Sequence, residues 1–241
     1  MTEYKSGMEH LVTKKNLVVI SGAGMSQESG LKTFRDMGGI WEEYDVTEVA
    51  SPQAWQKNPG LVLRFYNERR RQLWEAKPNH GHLGIARLEN HFNVKIVTQN
   101  VDDLHEQAGS TQVLHLHGEL KKARSTADPG LIYTLDHWEL KLGDLCENGS
   151  QLRPHIVWFG EEVPNMRLAI PIVLKADILV IIGTSLSVYP AASLVHHVRP
   201  DVPVFVVDPG SPAVGSHEVT FIRKKAGEGI DLLEELLSEY Y

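Results

Sequence analysis

The sequence contains a single cysteine, Cys146, among its 241 residues. One cysteine cannot form an internal disulfide and cannot supply a cysteine-type zinc site. Long apolar runs are also missing, since a run such as Ile178–Ile182 has the length of a strand and is far too short to cross a membrane. The first fifteen residues lack the apolar region of a signal peptide. These absences predict a soluble protein of the reducing cytoplasm.

An excess of basic charge is absent too, because 31 acidic residues face 24 basic ones and the formal net charge is −7. We therefore expect no attraction to nucleic acid and none to an anionic membrane. The hydrophobic fraction of 42% is enough for a packed core. The length suits one large α/β domain, or such a domain with a smaller insert.

Short apolar runs alternate with longer helical patterns along the chain. The runs read as buried strands of a parallel sheet and cover residues 17–20, 94–97, 178–182 and 202–207. The helical patterns cover residues 59–74, 82–90 and 190–198, and Asn58 followed by Pro59 is a good helix start. This alternation predicts an α/β fold with a Rossmann-like, doubly wound parallel sheet.

Two stretches fit that alternation poorly, one aromatic, charged and helical, the other polar and irregular. We read them as a smaller inserted module made of residues 34–77 and 121–152. The main sheet domain then consists of residues 1–33, 78–120 and 153–241.

A glycine loop, GAGMSQESG from Gly22, follows the first strand and is expected to open a helix. Gly22 and Gly24 allow a tight turn and a close approach to phosphate, as in dinucleotide sites. The usual dehydrogenase motif has a third glycine where Gln27 stands, which weakens a hydride-transfer interpretation. A tight turn without a ligand is the alternative.

Polar residues follow three other predicted strands, at the sheet edge where open α/β folds bind ligands. Helix capping is the alternative for Asn100 and Asp102. His115 and His117 share one face of a strand, so they could bind a metal, provide a general base, or be structural. The remaining residues at these strand ends are Gln99, Gly183, Thr184 and Ser185.

The motifs, in this order, closely resemble those of the sirtuin (Sir2) family. The matching segments are GAGMSQESG at Gly22, FRD at Phe34, TQNVDDLHEQAG at Thr98, HGEL at His117, RPHIVWFGE at Arg153 and GTSLSVYPAA at Gly183. The resemblance spans residues 17–237 and implies an NAD-dependent protein-lysine deacylase.

The resemblance also implies roles for matching residues. The cofactor-binding residues would be Gly22, Ala23, Gly24, Ser26, Phe34, Arg35, Gln99, Asn100, Asp102, Gly183, Thr184, Ser185, Asp208 and Ala226. The catalytic residues would be His117, Asn100 and Asp102, with His117 as the general base. The acyl-lysine peptide would lie between a strand at residues 157–160 (Val157, Trp158, Phe159 and Gly160) and Val188. The products would be free lysine, nicotinamide and O-acyl-ADP-ribose.

The helix that begins at Pro59 carries Tyr66 and Arg69, which are three residues apart and share a face. A guanidinium and a phenol make a good carboxylate clamp. This spacing resembles the sirtuins that remove succinyl and malonyl groups, so we expect an acidic-acyl preference beside deacetylation. A solvated basic face, shared with Arg64, Arg70 and Arg71, is the alternative.

Several residues depart from the family pattern. Most sirtuins carry two Cys-x-x-Cys pairs; here Ser125 and Asp128 stand at the first, and the second falls near Leu145 and Asn148, beside Cys146. We therefore expect no zinc, and we expect apolar side chains to hold the module instead: Leu131, Ile132, Tyr133, Leu135 and Trp138. Lys32 replaces a proline, which predicts a looser cofactor loop. Asp208 replaces an asparagine, which keeps NAD but disfavours NADP.

Two other functions use the same cofactor pocket. One is an NAD glycohydrolase or ADP-ribosyltransferase, against which the cleft-like VWFG and SLSVYP segments speak. The other is a non-catalytic NAD-sensing module, if loss of zinc has damaged the small module.

Overall fold

A computed structural model describes residues 13–31, 46–215 and 217–241. The strands are β1 Asn16–Ser21, β2 Asn93–Thr98, β3 Val113–His115, β4 Gly118–Ser125, β5 Ile132–Thr134, β6 Leu152–Ile156, β7 Ile178–Ile182, β8 Val204–Val207 and β9 Val219–Ile222. The α-helices are α1 Val46–Val49, α2 Pro52–Lys57, α3 Pro59–Glu75, α4 His80–Arg87, α5 Leu104–Gln107, α6 Met166–Leu174 and α7 Ala226–Leu237. None of these helices is both long and apolar enough to span a bilayer.

Six strands form one parallel sheet in the order β3-β2-β1-β7-β8-β9. Every residue of β7 and β8 is buried, as expected for strands covered on both faces. One face packs against α4 and α7, and the other against α6 and a 3₁₀ segment, Ala191–His197. The Rossmann-like fold predicted from the sequence is confirmed.

Helix α3 begins where the sequence indicates. The Asn58 side chain accepts a hydrogen bond from the Leu61 backbone nitrogen at 3.0 Å, and Pro59 occupies the first helical position. The helix expected at residues 190–198 is present as a 3₁₀ helix at residues 191–197, whereas the helix expected after the glycine loop is replaced by two short 3₁₀ turns. Gly30, with φ of 83°, ends the second turn in a left-handed conformation that stops any continuation.

A second sheet, antiparallel and in the order β5-β4-β6, lies under α3. Residues 121–152 are therefore less irregular than the sequence suggests, because they include β5 and most of β4. The boundaries that we place after residues 120 and 152 fall inside β4 and β6. The division into two units remains a prediction.

Buried polar side chains of α3 hold this module. Asn67 donates to the Leu140 carbonyl and accepts from the Leu140 backbone nitrogen, each at 3.0 Å. Arg70, with no exposed surface, donates to the carbonyls of Leu120 at 2.6 Å and Trp138 at 2.7 Å. Arg70 is therefore not part of a solvated basic face.

The apolar cluster expected within the module is only partly right. Leu131, Tyr133 and Leu135 pack against its core, whereas Ile132 and Trp138 are exposed. The core itself consists of Leu63, Ala123, Leu140, Cys146 and Leu152. Leu63 comes from α3, Ala123 from β4 and Leu152 from β6, so the core is built from separate elements and not from the local run that the sequence suggested.

In the second expected zinc pair, the residue that faces Ser125 is Cys146 and not its neighbour Leu145. Leu145 is largely exposed, and it is the Cys146 sulfur that lies 3.4 Å from the Ser125 hydroxyl. Ser125 accepts hydrogen bonds from the backbone nitrogens of Ala127 and Asp128, each at 3.2 Å. Across the described ranges, no three His, Cys, Asp or Glu side chains cluster in a way that could hold a metal.

Candidate functional site

A cavity of about 700 Å³ opens at the carboxyl ends of the parallel strands. Sequence segments that follow β1, β2, β3, β7 and β8 all reach it, as open α/β sheets predict. Of the predicted site residues, those lining the cavity are Gly22, Ala23, Gly24, Ser26, Tyr66, Arg69, Gln99, Asn100, Asp102, His117, Val157, Trp158, Phe159, Gly160, Gly183, Thr184, Ser185, Val188, Asp208 and Ala226. Phe34 and Arg35, like Lys32, lie outside the described residues.

The glycine loop packs tightly against the loop after β7. Gly24 donates its backbone N–H to the Gly183 carbonyl at 2.8 Å, and a Cβ at Gly24 would stand 2.9 Å from that oxygen. A Cβ at Gly22 would stand 2.6 Å from the Thr184 Cβ. The two glycines are thus required by the approach of two loops, and this contact sets the floor of the cavity.

Ser26, Asn100 and Asp102 form a buried hydrogen-bonded group. The Ser26 hydroxyl donates to Asp102 Oδ2 at 2.9 Å and accepts from Asn100 Nδ2 at 3.1 Å. The Leu104 backbone nitrogen donates to Asp102 Oδ1 at 3.2 Å, so the carboxylate also satisfies the first N–H group of α5, although the N-cap position belongs to Asp103. Burial raises the pKa of Asp102, against the opposing effect of these hydrogen bonds. Asp102 therefore lines the cavity and also accepts a bond from the start of α5.

The ring of His117 is neutral and has one nitrogen free of the Gln99 bond. Its Nδ1 lies 3.0 Å from the Gln99 carbonyl oxygen, which can only accept, so Nδ1 carries the proton and Nε2 keeps its lone pair. Burial lowers the pKa of His117 below its ordinary value, which keeps the ring neutral at pH 7. His115 is buried and bonded elsewhere, to Glu106 and to a backbone carbonyl. The pair does not form a metal site with any third described residue.

Tyr66 and Arg69 reach the same cavity from α3. Tyr66 is 4% exposed, and its ring lies 6.5 Å from the Trp158 ring, centroid to centroid. Burial raises the pKa of Tyr66 to about 12, despite the positive charge of Arg69. Burial likewise lowers the pKa of Arg69. A cation and a neutral phenol in a poorly solvated pocket favour an anionic partner.

The expected strand at residues 157–160 is wrong, because β6 ends at Ile156. The segment is instead held by bonds to other parts of the chain: Val157 N to the His117 carbonyl at 2.9 Å, Trp158 N to Glu161 Oε2 at 2.8 Å, and Phe159 N to the Ala50 carbonyl at 3.0 Å. Gly160, with φ of 89°, then turns the chain. Backbone pairing with a peptide must therefore use groups other than these three N–H groups.

An ion pair supports this segment from below. Arg153 donates to both carboxylate oxygens of Glu161, at 2.7 and 3.1 Å, and its guanidinium lies 3.3 Å from the centroid of the Trp158 ring. Sequence reasoning missed Glu161, which lines the cavity. It also missed Gln72, which lines the cavity one helical turn after Arg69, a spacing that could have revealed it. Further lining residues that were not predicted include Leu31, Val101, Leu120, Tyr189 and Lys225.

Comparison with known proteins identifies the family. The model of the Sir2 family matches residues 22–190. The chain belongs to the Sir2 family. An NAD-dependent protein deacylase of Helicobacter pylori J99 is 59% identical over 197 residues, which cover 81% of this chain and 83% of the relative. One of Bacteroides thetaiotaomicron is 52% identical over 231 residues, covering 92% and 98%.

Solved Sir2 structures agree with this fold. A Sir2 homologue in complex with NAD matches with a TM-score of 0.84 at 38% identity, covering 94% of this chain and 91% of that one. A Sir2 protein with a deacetylated peptide and 3′-O-acetyl ADP-ribose matches with a TM-score of 0.78 at 29% identity, covering 92% and 94%. The sirtuin resemblance seen in the sequence is confirmed, and NAD is the cofactor of this family member.

Proposed function

We propose that this sirtuin, an NAD-dependent protein deacylase, carries out its reaction in the cavity at the strand ends, with His117 as the general base. The observation that carries the proposal is the state of His117, a neutral ring with its Nε2 lone pair unengaged by the Gln99 bond and its side chain in the cavity. A base of lowered pKa is ready to accept a proton at pH 7.

The cavity suits NAD through the chemistry of its lining. Bound NAD supplies a ribose carbon whose bond to nicotinamide can break. The Asn100 amide and Asp102 carboxyl would border the nicotinamide, and the backbone of Ala23 with the Ser185 hydroxyl would contact the pyrophosphate. Asp208, at the end of β8, would accept bonds from the adenine ribose, and its charge would repel the extra phosphate of NADP.

His117 would take a proton through the ribose hydroxyls once the acyl oxygen has attacked. The acyl-lysine would enter between Val188 and the segment of Trp158 and Phe159, which is rigidly held by its bonds to Glu161 and Ala50. A rigid wall fixes the acyl carbonyl near the reacting carbon, and such positioning is a large part of catalysis.

An acidic acyl group is the substrate that the pocket supports best beside acetyl. Arg69 can bind both carboxylate oxygens, and the Tyr66 hydroxyl, held protonated by burial, can donate to one of them. An acetyl group also fits the pocket but makes no bond to Arg69 or Tyr66. We therefore expect deacetylation to persist at a lower rate.

The experiment is mass-spectrometric product analysis with NAD and matched acetyl- and succinyl-lysine peptides, for the wild type and His117→Ala. We expect peptide-dependent nicotinamide and O-acyl-ADP-ribose from the wild type, a faster succinyl reaction, and at least a hundredfold loss in the variant. NAD loss without deacylation would favour a glycohydrolase, and no turnover with retained NAD binding would favour a sensing module. Wild-type turnover by His117→Ala would remove the proposed base.

We also propose a cytoplasmic location and acyl-lysine proteins as the partners. The location rests on the single cysteine and the acidic net charge, and nucleic acid and membranes are not expected to bind. Salt-insensitive activity on a peptide, with no retention on heparin, is the expected behaviour.

A further inference from the structure

We infer that His115 is a positioning residue of the nicotinamide pocket, acting as a doubly protonated ring that bridges the Asn100 carbonyl and the Glu106 carboxylate. The inference rests on the proposed placement of Asn100 beside the nicotinamide. It gives a role to the histidine of the LHLHG motif that the base function leaves unused.

The ring of His115 is buried and lies between two acceptors. Its Nδ1 is 2.9 Å from the Asn100 carbonyl oxygen, and its Nε2 is 2.8 Å from Glu106 Oε1. The His115 backbone is also fixed, since Asn165 Nδ2 donates to its carbonyl at 2.7 Å. The ring itself is held by its two hydrogen bonds, one at each nitrogen, and the Asn165 bond acts only on the backbone.

Both partners can only accept, so both ring nitrogens must donate. A neutral imidazole has one N–H and would face one of the two oxygens with a lone pair. Only the protonated ring satisfies Asn100 and Glu106 together. Either tautomer of the neutral ring would leave one of the two oxygens facing a lone pair.

The charges around the ring are mostly acidic. Glu106 of α5, Glu119 of β4 and Asp102 of the pocket favour its protonated form, while His105 of α5 is held neutral by burial. Burial lowers the pKa of His115, but the hydrogen bond and charge of Glu106, the bond to the Asn100 carbonyl and the charge of Glu119 together outweigh it, so the pKa lies above its ordinary value.

The bond to Asn100 matters because that residue anchors the pocket group. Its backbone nitrogen donates to Thr98 Oγ1 at 3.0 Å and its side chain donates to Ser26, which in turn donates to Asp102. The His115 bond fixes the backbone carbonyl of Asn100, so all three polar groups of that residue are held. When the ring loses a proton, either this bond or the one to Glu106 becomes a repulsive contact.

The pH dependence follows from the two histidines. His117, with its lowered pKa, must be deprotonated to act, so activity rises with pH through its pKa. His115, with its raised pKa, must stay protonated, so the support of Asn100 is present at low pH and is lost as pH rises through its pKa. His115 therefore sets an alkaline limb and His117 the acid limb.

The test is the pH profile of kcat/KM for NAD, measured with one acyl peptide for the wild type, Glu106→Gln, His115→Gln and Asn165→Ala. Glu106→Gln keeps an acceptor but removes the charge, so we expect the alkaline limb to move down by about one pH unit with the acid limb unchanged. His115→Gln should lower kcat/KM for NAD about tenfold and abolish the limb. Asn165→Ala, which touches only the His115 backbone, should leave both limbs in place, and the peptide KM should stay constant throughout.

An unmoved alkaline limb in Glu106→Gln overturns the inference, whether or not His115→Gln folds. The variant Asn100→Ala distinguishes a failure of the His115 role from a failure of the proposed nicotinamide pocket. Wild-type kcat/KM for NAD in Asn100→Ala would overturn the pocket assignment, whereas an inactive Asn100→Ala with an unmoved limb in Glu106→Gln would overturn only the role of His115.

Discussion

Tyr66 and Arg69 are the side chains on which the proposed acyl preference depends. Tyr66 is buried and Arg69 is half-buried in the same pocket, and burial shifts each pKa in the direction that disfavours its charged form. The phenol becomes a firm donor, while the guanidinium stays charged because its ordinary pKa is so high. A carboxylate entering the pocket would therefore meet a cation that lacks full hydration.

We expect the double variant Tyr66→Phe, Arg69→Met to lose succinyl-lysine kcat/KM by at least a hundredfold and acetyl-lysine kcat/KM by less than fivefold. A charge-assisted bidentate contact contributes about 1.5–3 kcal/mol, and the phenol bond adds to it. Steady-state assays with the two matched peptides measure the ratio. Arg64→Met, an exposed arginine on the same helix, is the control and should change neither rate. Equal losses for both peptides would indicate a structural role for the pair.

At the scale of elements, α3 links the acyl pocket to the small sheet. Tyr66 and Arg69 face the cavity, and the residues that follow each of them, Asn67 and Arg70, face the module. The Asn67 side chain also accepts from Arg70 at 2.7 Å, so the two anchors form one buried network. The Trp138 and Leu140 backbone groups therefore bond to side chains of α3, and these bonds tie the module to the helix without a metal.

Asn67→Ala is expected to lower the free energy of unfolding by about 2–3 kcal/mol, because it leaves the Leu140 amide and carbonyl buried without partners. Urea unfolding followed by tryptophan fluorescence measures the loss. Glu68→Ala, its exposed neighbour on α3, should stay within about 0.5 kcal/mol of the wild type. If the two variants unfold at the same urea concentration, the Asn67 network does not hold the module.

Elements with a strong local signal could be predicted from the sequence. The apolar runs of β1, β2 and β7 and the Asn-Pro start of α3 are local features, and each is found within about a residue of its expected place. The small sheet has no such signal, because β4 alternates imperfectly in burial and packs against α3, which is distant in sequence. The 3₁₀ turns after β1 depend on the approach of the Gly183 loop, which no local pattern reveals.

At the scale of the whole molecule, the site joins segments from residue 22 to residue 226. The strand-end rule and the sirtuin resemblance together predicted most of the cavity lining that follows strands, whereas Tyr66 and Arg69 were predicted from their spacing on α3. Glu161 was missed because its role is indirect, through Arg153 and the Trp158 amide. Gln72 was missed because, on the cavity face of α3, the sequence drew attention only to Tyr66 and Arg69.

The molecule as a whole is expected to fold and work without zinc. The positions that face each other in the module hold Ser125 and Cys146, whose side chains hydrogen-bond at 3.4 Å, and a serine hydroxyl with one thiol is too poor a ligand set for a structural zinc. Because Asn67 and Arg70 already bond the module to α3, we expect metal analysis after dialysis to find well under one zinc per chain.

We also expect the melting temperature and kcat/KM to change by less than the experimental error on treatment with a strong chelator. A zinc-dependent enzyme treated in parallel controls for chelator activity. About one zinc per chain, or a melting temperature lowered by several degrees, would mean that residues beyond Ser125 and Cys146 complete a metal site and that the α3 network alone does not hold the module.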